Sequence, residues 1–211
     1  MRLFITATNT SIGKTYTSVK LIELAAKRGL KPGCYKPIET GVVTTPLDGS
    51  KLLAKCQEFN ENFRKFSVGD IVPYRFKLPA APYVAKTESI DKELLLQRAQ
   101  LLESECDILF IEGAGGLMVP IACDYFMIDL IKDLEAPTLL VTPSRLGSIN
   151  DTLLSRMALE ARKIDYFWYI NRYEDKEEFE RITAPFYKAC GGEVPTDLDS
   201  VFDRYLHRNG A

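Results

Sequence analysis

Thr8-Asn9-Thr10-Ser11-Ile12-Gly13-Lys14-Thr15 follows the apolar run Leu3-Phe4-Ile5 and leads into a stretch whose Val19, Ile22 and Ala26 recur at spacings of three and four. A strand that turns through Gly-Lys-Thr into a helix aims backbone N–H groups and a helix N-terminus at phosphate oxygens. Lys14 adds a mobile positive charge, and the Thr15 hydroxyl can ligate the magnesium that accompanies a nucleotide. Thr8 stands where G-x-x-x-x-G-K-[ST] has its first glycine, so the pattern rests on its second half and on its strand-to-helix setting. A plain Ser/Thr-rich turn rarely has Gly-Lys-Thr at the point where a helix begins. The expectation is nucleotide chemistry.

Outward from this loop, strand-like apolar runs alternate with helical stretches. Strands are expected over Leu3 to Ala7, Lys31 to Pro37, Asp107 to Glu112, Pro137 to Thr142 and Tyr166 to Asn171. Helices are expected over Lys14 to Lys27, Gly49 to Glu58, Asp91 to Glu103, Met127 to Leu134, Ile149 to Ala161 and Lys176 to Ala189. Ile108-Leu109-Phe110-Ile111 and Thr138-Leu139-Leu140-Val141 are apolar on both faces, as strands covered by helices on both sides must be. The reading is an α/β fold, a mostly parallel central sheet with helices on both faces, forming one domain over residues 1–211. The stretch from Phe59 to Ser89, with Asp70, Pro73, Pro79, Pro82 and scattered aromatics, reads as an insertion over the edge of the site rather than regular core structure.

A chain of 211 residues can bury roughly 70% of its unfolded surface, so one core suffices. With 27 basic and 29 acidic side chains and no dense Lys/Arg cluster, neither nucleic acid nor an anionic membrane has an electrostatic footprint here, and a small-molecule partner is expected. Cys34, Cys56, Cys106, Cys123 and Cys190 are odd in number, far apart and form no C-x-x-C pair, which speaks against a disulfide framework or a zinc site. They read as reduced core thiols. No apolar leader precedes the first strand and no run approaches the ~18 apolar residues of a membrane span, so a cytoplasmic protein is expected.

Ligands of such sheets gather beyond the carboxyl ends of the strands. Three strand ends are polar or glycine-rich: the phosphate loop, Tyr35-Lys36-Pro37-Ile38-Glu39-Thr40-Gly41, and Glu112-Gly113-Ala114-Gly115-Gly116. Glu112, closing an apolar strand, reads as a magnesium carboxylate alongside Thr15. Asp48 is the candidate third ligand, although Asp48-Gly49 reads equally as an ordinary turn that opens a helix. Lys36 is either a solvated lysine or a group that stabilises negative charge building on a substrate. Gly113, Gly115 and Gly116 are read as permitting close approach of a ligand.

Taken in order, the phosphate loop, Tyr35-Lys36-Pro37 with Gly41, and Glu112-Gly113-Ala114-Gly115-Gly116 resemble dethiobiotin synthetase, a P-loop NTPase-like family. The resemblance extends through Leu78-Pro79-Ala80-Ala81-Pro82, Leu146-Gly147-Ser148-Ile149-Asn150-Asp151-Thr152-Leu153-Leu154, Asn171 and Val194-Pro195. It implies an ATP- and magnesium-dependent cyclo-ligase of biotin biosynthesis that makes dethiobiotin from 7,8-diaminononanoate and carbon dioxide, supplied as bicarbonate. By resemblance Lys14 and Lys36 are catalytic; Thr10, Lys36, Thr40 and Gly115 face the diamine and its carbamate; and Thr15, Asp48 and Glu112 hold magnesium. The nucleotide falls to Thr10, Ser11, Ile12, Gly13, Lys14, Thr15 and Tyr16 with Glu112 and Gly115, and its base to Asn171, Val194 and Pro195. The family resemblance also implies a homodimer in which Leu146, Gly147 and Asn150 hold the substrate tail of the partner.

Ser11 and Asn9 stand where the family often has acids, Lys51 lies near a family aspartate, and Arg172-Tyr173-Glu174-Asp175 lacks the usual proline-bearing pattern. With the C-terminal part also short, looser selection of the base is expected. The rival reading, a dimeric ATPase switch of the partition or septum-placement type, needs a signature lysine where this chain has Asn9.

Overall fold

A computed structural model describes residues 1–173, 176–190, 192 and 194–210. Its centre is a five-stranded sheet in the order β2-β5-β1-β6-β7, formed by β1 (Arg2–Ala7), β2 (Pro32–Tyr35), β5 (Ile108–Gly116), β6 (Thr138–Pro143) and β7 (Tyr166–Asn171). Every pairing in it is parallel. Successive residues of β1 serve opposite faces. Leu3 shares a small apolar gap with Leu21 of α1 (Lys14–Lys27) and with Val201, Phe202 and Tyr205 of α10 (Leu198–Arg208). Phe4 meets Gly113 and lies on the side of Met127, which opens α6 (Met127–Asp133). A buried parallel sheet must be apolar on both faces, and β1, β5 and β6 are. The remaining helices are α2 (Leu47–Phe59), α3 (Val68–Ile71), α4 (Pro82–Ala85), α5 (Lys92–Glu103), α7 (Ser148–Ala161), α8 (Lys176–Glu178) and α9 (Ala184–Ala189). No helix among the described residues is long and apolar enough to cross a membrane.

Four features differ from the sequence reading. The run Lys31 to Pro37 does not continue as one strand: Pro37 has no N–H for a ladder, the Lys36 N–H turns to the Ile71 carbonyl at 3.0 Å, and a new strand β3 (Ile38–Thr40) pairs with β4 (Tyr74–Phe76). Residues 59–89 are not simply an insertion, because Phe63, Ile71, Val72, Tyr74 and Phe76 are core residues and only Pro79 to Pro82 reach the site. The expected helix Lys176 to Ala189 is interrupted by a π turn at Phe179–Thr183, just before Pro185, which cannot donate to the preceding turn. Finally, α10 was not expected. Asp197 caps it through the Asp199 and Ser200 N–H groups, and the Arg28 guanidinium ties it to α1 through Asp199 and Asp203 at 2.5 and 2.6 Å.

The cysteines also divide. Cys34 and Cys56 are buried and Cys106 half-buried, but Cys123 and Cys190 are exposed, so the core-thiol reading fails for those two. Burial pushes the Cys106 thiol up to about 12.

Candidate active site

The carboxyl ends of β1, β2 and β5 open into one cleft of about 710 Å³, walled by the phosphate loop, by Lys36 and Ile38 to Thr40, by Pro79 to Pro82 and by Glu112, Ala114 and Gly115. Its position follows from the topology, since β1 lies between β5 and β6 and its loop must cross the sheet edge to reach α1.

The loop geometry is that of an anion cradle. Gly13 has φ 93° and no side chain caps α1, so the first helical N–H groups are left for a ligand. A Cβ at Gly13 would stand 2.2 Å from Asn171 Nδ2. Asn171 in turn donates to the Ile12 carbonyl at 3.0 Å, and the Tyr173 hydroxyl donates to that of Ser11 at 3.2 Å, so the end of β7 braces the loop from behind. Lys14 folds back to donate to the Asn9 carbonyl at 3.0 Å. Burial, and then the neighbouring Lys36 charge, lower its pKa to about 8 against the opposing pull of Glu112 and Asp48.

Glu112 is the hub. Its Oε1 accepts from Thr15 Oγ1 at 2.9 Å and from Lys36 Nζ at 2.8 Å, and its Oε2 lies 2.8 Å from Ser18 Oγ. Lys36 Nζ also donates to the Gly113 carbonyl at 2.9 Å and stands 4.0 Å from Asp48 Oδ2. Burial alone would depress the Lys36 ammonium, but Glu112 and then Asp48 outweigh it and hold the group above its ordinary value. A nearly inaccessible lysine therefore remains a fixed cation, and its carboxylate partner is fully hydrogen-bonded, as a buried pair requires.

These donors suit magnesium. A threonine hydroxyl and the two carboxylates of Glu112 and Asp48 are hard oxygen ligands, and magnesium usually takes one or two carboxylates and completes its shell with water and phosphate oxygens. The described residues contain no cluster of three His, Cys, Asp or Glu suited to a metal held by protein alone.

Two residues of this constellation escaped sequence reading. Ser18 sits one turn beyond Thr15, and that i, i+3 spacing on α1 was the available signal. Glu39, on the cleft wall, accepts from the N–H groups of Asp48 and Gly49. The glycines need correcting as well. A Cβ at Gly113 would stand 2.8 Å from Phe4 Cε1, and one at Gly116 would stand 3.0 Å from the Thr8 carbonyl oxygen, so both are small for packing reasons. Gly115, with φ 66°, is the one that faces the cleft.

A family model described as an AAA domain matches residues 1–200. The ATP-dependent dethiobiotin synthetase of Sulfurovum sp. (strain NBC37-1) is 52% identical over 188 residues, covering 89% of this chain and 90% of that protein. The chain belongs to the dethiobiotin synthetase family. The enzyme of the same name from Wolinella succinogenes is 44% identical over 88% of each chain, and that from Aquifex aeolicus 35% identical over 99% of this chain and 93% of its own. As a member of the dethiobiotin synthetase family the chain is an enzyme, an ATP-dependent ligase. Among solved structures, the MinD cell division protein of Aquifex aeolicus superposes with a TM-score of 0.54 at 16% identity, over 93% of this chain and 82% of that one. A plasmid partition protein of Borrelia burgdorferi gives 0.58 at 12% identity, over 99% and 98%. At such identities they establish the shared P-loop fold and nothing about activity.

Not every residue that the dethiobiotin synthetase resemblance implies lines the cleft. Thr10, Ser11, Gly13, Lys14, Thr15, Tyr16, Lys36, Thr40, Asp48, Glu112 and Gly115 do. Ile12 is the buried residue of the loop, Asn171 stands behind it with one amide N–H donated to the Ile12 carbonyl, and Pro195 accepts from the Ile170 N–H at 2.8 Å with Val194 packed beside a small apolar cluster. Leu146, Gly147 and Asn150 lie at the opening of α7, outside the cleft walls. Lys51 is an exposed residue of α2, and Glu174 and Asp175 lie outside the described residues.

Proposed function

We propose that the chain closes the ureido ring of dethiobiotin from 7,8-diaminononanoate, carbon dioxide and magnesium-ATP, as a step of biotin biosynthesis. The observation that carries this reading is the pairing, in one cleft, of a phosphate loop with a second buried lysine, Lys36, whose ammonium stays charged beside the strand end at Glu112. A hydrolytic nucleotide switch needs the first of these; a reaction that builds charge on an organic acceptor next to the γ-phosphate also needs the second.

The chemistry runs in three steps. One amine of the substrate adds to carbon dioxide and loses a proton, giving a carbamate. A carbamate oxygen attacks the γ-phosphorus, and the bond to ADP breaks with its electrons. The second amine then attacks the carbamoyl carbon, the carbon–oxygen bond to phosphate breaks, and inorganic phosphate leaves as the ring closes and the attacking nitrogen gives up its proton. Thr10, Thr40 and Gly115 shape the acceptor side of the cleft, where a Cβ at Gly115 would stand 3.7 Å from Thr10 Oγ1. The α1 N-terminus and Lys14 receive the phosphates, with Ser11 to Tyr16 following the chain around them and Asn171, Val194 and Pro195 toward the base. Lys36 stabilises charge on the carbamate and the oxygens passing between it and phosphorus. Magnesium, held by Thr15, Glu112 and Asp48, would neutralise phosphate charge as a Lewis acid. Because the acceptor is the carbamate, phosphate release from ATP is expected to depend on both diamine and bicarbonate, with one phosphate per ring closed. Equal phosphate release with and without the diamine contradicts the proposal.

We also place the substrate tail across a homodimer. The α7 N-terminus opens at Gly147 with φ 89°, has no side-chain cap, and carries free N–H groups suited to a carboxylate. Leu146, Leu154 and Met157 expose apolar surface beside it, as a face that meets a second copy would. Mixing Lys36→Ala and Asn150→Ala subunits, each weak alone, should restore about one quarter of wild-type turnover. Half the dimers are then mixed, and each mixed dimer has one intact site. Mixtures no more active than the separate variants would argue against a shared site.

A further inference from the structure

We infer that Glu39 is a positioning residue that, from β3, holds the first turn of α2 and so sets the Asp48 carboxylate toward the magnesium site. The inference rests on the proposed role of Asp48 in holding the metal.

Helix α2 begins after Pro46, and no side chain of its own N-cap satisfies the opening N–H groups. A helix in that condition usually takes a Ser, Thr, Asp or Asn immediately before it. Here the acceptor arrives from another element. Glu39 Oε1 accepts from the Asp48 N–H at 3.0 Å and Oε2 from the Gly49 N–H at 2.9 Å. Both oxygens of one buried carboxylate are thus spent on two consecutive backbone donors at the positive end of a helix, a charge-assisted arrangement.

The strand that carries this carboxylate is itself paired. Glu39 lies opposite Arg75 in the β3–β4 ladder, and β4 ends in the buried Phe76. Gly49 lets α2 lie close to Val72, whose Cγ2 would stand only 2.1 Å from a Cβ at that position. The backbone of Asp48 and Gly49 is therefore held by Glu39, with Gly49 packed close to Val72. The Asp48 side chain is 40% exposed and lies 4.0 Å from Lys36, so its direction owes more to this hold on its backbone than to surrounding packing. Glu39 also adds negative charge near Lys36, and a direct effect of that charge is the alternative to be separated from positioning.

A double-mutant cycle on metal binding separates them. Mn²⁺ binding in the presence of a non-hydrolysable ATP analogue is measured by electron paramagnetic resonance for wild type, Glu39→Gln, Asp48→Asn and the double variant. Glu39→Gln, which keeps the shape but offers one acceptor instead of two, is expected to weaken Mn²⁺ about tenfold, as loss of a ligand-orienting group does. In the Asp48→Asn background it should add less than about twofold, because the residue through which it acts is gone. Glu39→Asp, charged but too short to reach both N–H groups, should behave like Glu39→Gln and decides the matter by the same cycle if the glutamine variant does not fold. Undiminished Mn²⁺ binding in Asp48→Asn would refute the metal role of Asp48 and the inference with it. If Asp48→Asn weakens Mn²⁺ but Glu39→Gln does not, or if the two losses simply multiply, Asp48 keeps its role and positioning by Glu39 is overturned.

Discussion

Lys36→Ala is expected to lower kcat by about two to three orders of magnitude while the dissociation constant of a non-hydrolysable ATP analogue moves less than about threefold. The split follows from where Lys36 sits. Its ammonium binds Glu112 and the Gly113 carbonyl on the acceptor side of the cleft, whereas the phosphate loop that receives the nucleotide keeps its backbone donors and Lys14. Removing one preorganised donor to developing negative charge costs about 2.7–4 kcal/mol of transition-state stabilisation. The variant also leaves Glu112 buried with only Thr15 and Ser18 as partners, a defect that costs about 3–5 kcal/mol where one member of a buried pair is lost. Turnover and nucleotide titration are therefore to be read at 25 °C on protein whose folded state has been verified by circular dichroism. A variant with unchanged kcat would remove Lys36 from the chemistry.

Lys14→Ala is expected to have a different signature, with nucleotide affinity and turnover falling together, affinity by about tenfold to a hundredfold. Lys14 lies in the loop itself and rests on the Asn9 carbonyl, a neutral partner it can leave for phosphate at little cost. Hydrogen bonds to charged groups contribute about 1.5–3 kcal/mol, which sets that range. Equilibrium titration with a fluorescent ATP analogue checks the first half and steady-state turnover the second. Unaltered affinity with lost turnover would move Lys14 to the acceptor-side role proposed for Lys36.

Lys14 was legible because Gly-Lys-Thr stands where a helix begins, whereas Lys36, at the end of a strand, was open on position alone between a solvated lysine and a charge-stabilising group, and only the family resemblance chose. Glu112 was read from its strand end, Thr15 from the phosphate-loop pattern, and Asp48 as a candidate that read equally as a turn; the fold brings all three into one cleft. What escaped were relations between distant segments. Nothing near α2 announces that its cap is Glu39, nine residues before Asp48 and on strand β3. Phe63, Tyr74 and Phe76 looked like aromatics scattered through a proline-rich insertion because the strand that alternates buried Tyr74 and Phe76 with exposed Arg75 is only three residues long, yet all three belong to the core. Helix α10 was legible and missed: Leu198, Val201, Phe202, Tyr205 and Leu206 keep spacings of three and four behind the Asp197 cap, amid a dense run of charges. Gly113 and Gly116 were read as serving a ligand because the neighbours that require their smallness, Phe4 and the Thr8 carbonyl, are more than a hundred residues away in sequence.

The central claim is that the γ-phosphate passes to a carbamate oxygen, and oxygen isotopes report this directly. Single-turnover reactions begun with ¹⁸O-labelled carbon dioxide, diamine and magnesium-ATP, and quenched before hydration exchanges the label, should release inorganic phosphate carrying one ¹⁸O atom, because the carbon–oxygen bond breaks at ring closure and leaves that oxygen on phosphorus. Phosphate whose new oxygen comes from solvent water would mean that ATP is simply hydrolysed, and the account of this cleft as a ring-closing site would be wrong.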